Sequence, residues 1–137
     1  MRRLLEPVRP DPIALGLLAL AALCVLVAGL QHARLFHRGY AEVEIVGPLF
    51  FMNAIGSTVV VLTLIFDRAW LFVLGALSIC VPSLVSIAIS HSSGFFGFRE
   101  GGYDADALII VVAEGAAVGF ALLGAAATLA RARTAHR

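Results

Sequence analysis

Glu114 lies seven positions inside an otherwise apolar run, residues 107–130, that is long enough to cross a bilayer. A carboxylate at that depth costs about 3 kcal/mol or more unless it is protonated, partnered or facing water, so it marks a candidate functional site. Such a group can exchange a proton, accept a cation or hydrogen-bond a polar ligand. Asn53 is eight residues in from Ile45, at nearly the same depth of ~10 Å given a rise of 1.5 Å per residue. Ser86 and Ser90 occupy the corresponding end of a third apolar run, with His91 just beyond, and Gln31 and His32 end the first. Glu114, Asn53, His32, Ser86 and Ser90 are therefore predicted to converge on one polar pocket, in which His32 and Glu114 can form an ion pair. The competing reading is that Glu114 and Asn53 only hydrogen-bond across helices and fix the packing, a contact of about 0.6 kcal/mol. The sequence leaves both readings open.

Metal or haem chemistry has weaker support. His32, His37 and His91 fall on the same side of the chain, with Glu42, Glu44 and Met52 nearby. His32 and His37 are five apart across the expected helix end, not at the i, i+4 spacing of a helical metal pair. No Cys-x-x-Cys-His signature is present, and no cofactor is expected. Cys24 and Cys80 each lie inside an apolar run and read as small buried hydrophobes. A phosphate loop, a nucleophile elbow and a Cys/His pairing are all missing, so a dedicated enzyme is not expected. Asp104 and Asp106 follow Gly101-Gly102, and one or the other reads as the N-cap of the last helix.

The elements that must position these groups are four membrane-length apolar segments, residues 13–30, 45–66, 69–90 and 107–130. The chain is 61% hydrophobic and 14% charged, far from soluble norms, and its 137 residues form one transmembrane domain. Met1-Arg2-Arg3 resembles the start of a signal peptide, but the 18-residue run is long for a signal core and Ala28-Gly29-Leu30 is a poor cleavage site. Seven of the ten arginines (Arg2, Arg3, Arg9, Arg68, Arg131, Arg133 and Arg137) fall on one side, and Arg34, Arg38 and Arg99 on the other with Glu42, Glu44, Glu100, Asp104 and Asp106. His136 adds nothing to this count. The positive-inside rule then gives an all-α, up-down-up-down four-helix bundle of the cytoplasmic membrane with both termini cytoplasmic. With no basic tract, nucleic acid is not an expected partner. The bilayer is, and other membrane subunits or self-association are possible partners.

Asp67-Arg68 is almost the whole second loop, and the other loops are expected to span 14 to 16 residues. Phe66, Trp70 and Phe72 are expected at the inner interface, and Phe36, Tyr40, Phe50, Phe51 and Tyr103 at the outer one. The stretch 94–98 is expected to dip into the headgroups or cover the bundle mouth. At 100° per residue each span divides into a small or polar face and a bulky one. Ala21, Val25, Ala28 and His32 share a face opposite Leu23, Val27 and Leu30. Asn53, Gly56, Ser57 and Val60 oppose Phe51, Ile55, Val59 and Leu62. Gly75, Pro82, Ser83, Ser86 and Ser90 oppose Leu77, Val81 and Leu84. Ala107, Glu114, Ala117, Ala121, Ala125 and Thr128 oppose Ile109, Val112, Phe120 and Leu123. The small, polar faces are expected inside, with Gly115-x-x-x-Gly119 available for a close helix contact. Pro82 is expected to kink the third span, with neighbouring serines compensating the carbonyl of Ser78.

The segments Gly47-Pro48-Leu49-Phe50-Phe51-Met52-Asn53 and Gly94-Phe95-Phe96-Gly97-Phe98-Arg99-Glu100 resemble stretches in small bacterial four-helix membrane proteins. That likeness covers the middle two-thirds of the chain and implies a shared architecture that includes Glu114, without an activity. The organisation is also similar to that of DoxX-like membrane proteins, a likeness of architecture with no residue motif behind it. Three functions follow as expectations: a non-enzymatic accessory or scaffold subunit with a polar pocket facing outward, a protein handling a small ligand, proton or ion there, or metal or haem binding by the outer histidines.

Overall fold

The computed structural model describes residues 10–99 and 101–134; Arg2, Arg3, Arg9, Glu100, His136 and Arg137 lie outside them. Four helices account for most of these residues: α1 (Pro12–His37), α2 (Val46–Ile65), α3 (Ala69–Ser92) and α4 (Ala105–Thr134). All four are long and apolar enough to cross a membrane, so the chain is a multi-pass helical membrane protein by length and composition. Among the described residues the only β feature is an isolated bridge between Phe95 and Phe98.

Local chemistry sets the helix ends. Asp11 caps α1, its Oδ1 accepting from the Ala14 amide at 2.7 Å, and Pro12 enters the first turn, where its missing N–H costs nothing. Asp104 caps α4 in the same way, accepting from the Ala107 amide at 2.8 Å. The helix α1 stops only at Gly39, whose φ of 127° suits glycine. It therefore runs seven residues past the expected boundary at Leu30, because Gln31, His32 and Leu35 continue its buried stripe. The first loop shrinks accordingly to residues 38–45, with one 3₁₀ turn at Tyr40–Glu42.

Each helix packs against its sequence neighbours, α4 closes the ring on α1, and α1 touches α3 across the diagonal. The core is built from small residues with a few large ones: Ala21, Val25, Val60, Ala76, Cys80, Ala117 and Ala121 surround Leu18 and Phe72. Phe72 is fully buried rather than placed at an interface, because positions 72, 76 and 80 form one inward stripe. The expected inward faces of α1, α2 and α4 match the burial pattern, with Leu30, Val59 and Val112 all exposed. Two placements differ. Phe120 and Leu77 pack partly against the core, and Gly115 and Gly119 face outward, where an added Cβ would meet nothing within 4 Å.

Close helix contact falls elsewhere, at Gly29 against Ser57, Gly75 against Val60 and Gly124 against Leu18. Both cysteines are free thiols, Cys80 buried and Cys24 half-buried. Pro82 lies within α3, but the serines near it serve other carbonyls. Ser78 donates to Leu74 O and Ser86 to Pro82 O, each at 2.8 Å. Between α3 and α4 the chain turns tightly: Phe95 and Phe98 exchange backbone bonds of 2.7 and 2.9 Å around Phe96 (φ 47°) and Gly97 (φ 80°). Two consecutive positive φ values are what a type I′ hairpin turn requires.

Candidate functional site

The inward face of α4 repeats every three or four residues: Ile110, Ala113, Glu114, Ala117, Ala121 and Gly124. Glu114 falls on that face and is 0% exposed. The Asn53 amide, from α2, donates to Glu114 Oε1 at 3.3 Å, and the Ser57 hydroxyl donates to Asn53 Oδ1 at 3.2 Å. Gly29 makes this chain possible, since only a residue without Cβ lets α1 approach Ser57 so closely. Glu114 Oε2 is buried without a hydrogen-bond partner among the described residues. Ser83, from α3, lies near the same carboxyl. Glu114 and Asn53 thus meet as the sequence suggests.

His32 does not pair with Glu114. Its Nδ1 donates to the Ala28 carbonyl at 2.9 Å, and its ring packs edge-on against Phe50 at a centroid distance of 4.8 Å. His91 behaves alike. Its Nδ1 donates to Ile87 O at 2.9 Å, its ring stacks on Tyr103 at 3.8 Å, and its Nε2 is buried without a partner among the described residues. A carbonyl only accepts, so each Nδ1 carries a proton. His37 is exposed at the last position of α1, five residues along the same helix from His32. Among the described residues no group of three His, Cys, Asp or Glu side chains is spaced to hold a metal ion.

A cavity of about 390 Å³ opens among these groups. His32, Asn53, Ser83, Ser86, Ser90 and His91 all line it. Glu114 does not; it lies behind Asn53 and is reached through it. The walls are apolar, from Phe50, Ile79, Ile87 and Ile110, and exposed Leu49, Met52 and Pro82 border it between α2 and α3. Phe95 and Phe98 of the hairpin turn border the mouth, while Phe96 points away, 69% exposed. The turn therefore covers the bundle mouth.

Asp106 is a polar junction that the sequence reading missed by treating it as a cap. Gln31 donates to it at 2.7 Å, and Arg34 and Arg38 lie 3.6 Å from its two oxygens. Gln31 and Arg34 share a face of α1, with Arg38 at its C-cap, but nothing in the sequence pairs that face with Asp106. At the opposite end of the bundle Arg131 reaches Asp11 at 3.3 Å. No protein-family model matches the chain, and no curated protein or solved structure shows significant similarity to it.

Proposed function

We propose that this chain is an up-down-up-down protein of the cytoplasmic membrane, with both termini cytoplasmic, that binds a small amphipathic molecule in its cavity and serves as an accessory subunit rather than an enzyme. Orientation is supported by the arginine count in the sequence, seven (Arg2, Arg3, Arg9, Arg68, Arg131, Arg133 and Arg137) on one side of the four segments against Arg34, Arg38 and Arg99 on the other. The observation that carries the binding reading is the cavity itself. Apolar walls with a few convergent polar groups, within the size range of small-molecule sites, are the usual form of a ligand pocket. The exposed border formed by Leu49, Met52 and Pro82 gives a lipid-dissolved molecule a route in between α2 and α3.

Photolabelling in nanodiscs tests this. A photoactivatable benzophenone should mark Phe50, Ile79 and Ile87, and Gly56→Phe should abolish those marks by filling a wall where an added Cβ already lies 3.0 Å from Ile79. Labelling confined to lipid-facing residues such as Val59 and Leu123, unchanged by Gly56→Phe, would refute the pocket. A second reading, proton or ion handling, has one observation in its favour, the unpartnered Oε2 of Glu114. It requires Glu114→Gln to leave photolabelling intact while removing any proton or ion dependence of the protein.

A further inference from the structure

The cavity is polar at two levels. Asp104 and Asp106 stand at its rim, in the cap and first turn of α4, and Asn53, Ser83 and Ser86 line it deeper. Asn53 is seven residues from the start of α2 and Ser86 six from the end of α3, which places both ~10 Å inside at 1.5 Å per residue. The two levels differ in charge. At the rim Arg34 and Arg38 lie 3.6 Å from the Asp106 oxygens. At the deeper level no charged side chain lines the cavity among the described residues, and Glu114 is closed off behind Asn53. A charged group brought there would meet no counter-ion, at a depth where an unpaired charge is strongly disfavoured.

Hydrogen-bonding capacity at that level is specific. Asn53 gives one N–H to Glu114 and accepts from Ser57 at its oxygen, so its second N–H remains to be given. The Ser86 hydroxyl spends its proton on the Pro82 carbonyl at 2.8 Å and retains its lone pairs. Both side chains are half-buried and line the cavity, so both groups are within reach of a bound molecule. Facing helices thus offer one donor and one acceptor at equal depth. A hydroxyl answers both through a single oxygen, whereas an ether answers only the donor. The apolar outlet lies beside them: Leu49, Met52 and Pro82 are exposed along the border between α2 and α3.

Resting on the binding role above, we propose that the ligand is an uncharged alcohol with an apolar chain. Its oxygen accepts from Asn53 and donates to Ser86 Oγ, and its chain leaves between α2 and α3 into the lipid. An anionic head finds no cation at that depth, and an ammonium would reach Glu114 only by displacing the Asn53 amide.

Four probes that share a decyl chain separate these cases: decanol, decyl methyl ether, decylamine, protonated at neutral pH, and decanesulfonate. Each competes with benzophenone labelling of Ile79 and Ile87 in nanodiscs, at equal concentration in the disc as set by partitioning into empty nanodiscs. Decanol should compete about fivefold better than the ether, the share of one hydrogen bond. The amine and the sulfonate should be weaker than decanol by about tenfold or more. Ser86→Ala, which removes only a hydroxyl bonded within its own helix, should erase the preference for decanol over the ether. Asn53→Leu should weaken both, since both oxygens accept from the amide. A charged probe that competes as well as decanol, an ether equal to it, or a preference that survives Ser86→Ala refutes the alcohol while the labelled pocket stands. Absence of labelling at Ile79 and Ile87 removes the binding role and this proposal with it.

Discussion

Replacing Gly29 with alanine should damage the bundle and the site together. The new Cβ would lie 2.6 Å from Ser57 Cβ and 2.9 Å from Ser57 Oγ. Ordinary carbon contacts are ~3.5–4.0 Å, so α1 and α2 must separate by ~1 Å. Ser57 is 1% exposed and its Cβ is fixed to the α2 backbone, so no rotamer change removes the clash. Overpacking of this kind costs about 1–3 kcal/mol, and loosening the Ser57–Asn53 bond adds about 0.6 kcal/mol. The folding constant should therefore fall roughly 15- to 400-fold. Equilibrium unfolding in mixed micelles with increasing dodecyl sulfate, followed by far-ultraviolet circular dichroism, measures this. Gly115→Ala and Gly119→Ala are the matched controls, since a Cβ there meets nothing within 4 Å, and they should change stability little. Adding Ser57→Gly to Gly29→Ala should recover much of the packing loss, though not the hydrogen bond. A neutral Gly29→Ala, or a double variant no better than the single, would refute the close approach of α1 and α2.

Three further outcomes follow. Glu114→Leu should cost about 1–3 kcal/mol in the same assay by leaving the Asn53 amide unpaired, whereas Glu114→Gln, which preserves an acceptor, should cost less than half of that. Phe96→Asn should slow amide exchange at Phe98, because asparagine adopts the φ of 47° at that turn position more readily than phenylalanine; faster exchange would contradict the I′ turn. The Ala14 amide, with the Arg131 guanidinium beside it, holds the Asp11 carboxyl below its ordinary value of 3.8. The stabilisation from a carboxylate with a depressed pKa is complete above the unfolded value and is lost as pH falls through the folded one. Stability should therefore decline below about pH 4, and Asp11→Asn, which caps without titrating, should flatten part of that decline.

The helical periodicity of small residues made the faces of α1, α2 and α4 legible, because membrane helices meet through their least bulky sides. The meeting of Asn53 and Glu114 was legible for the same reason, together with equal depth. Hydropathy failed where the helix outlasted the apolar run: Gln31 and His32 are polar yet buried, since Asp106 and the Ala28 carbonyl supply their partners. On α3 the inward face was expected at Gly75, Pro82 and the serines; Ser83, Ser86 and Ser90 line a cavity, and the core stripe is Phe72, Ala76 and Cys80. The glycine pair at 115 and 119 has the spacing of a contact motif, but spacing does not say which side is turned inward. Gly29 and Gly124 make their contacts without any such motif, because what matters is the residue opposite, and that is known only in three dimensions. Asp106 shows the same limit, its donors lying on a helix 75 positions away.

The four helices are unequal, and the shortest has the least latitude. With 20 residues α2 extends ~30 Å, about the thickness of the hydrocarbon layer. The 30 residues of α4 extend ~45 Å, enough to tilt or project without exposing apolar side chains to water. A thicker bilayer must therefore thin locally around α2, or draw Ile45 and Phe66 into its oil. Asn53 rides on that least adjustable rod, so membrane thickness acts directly on the height at which the amide meets Glu114.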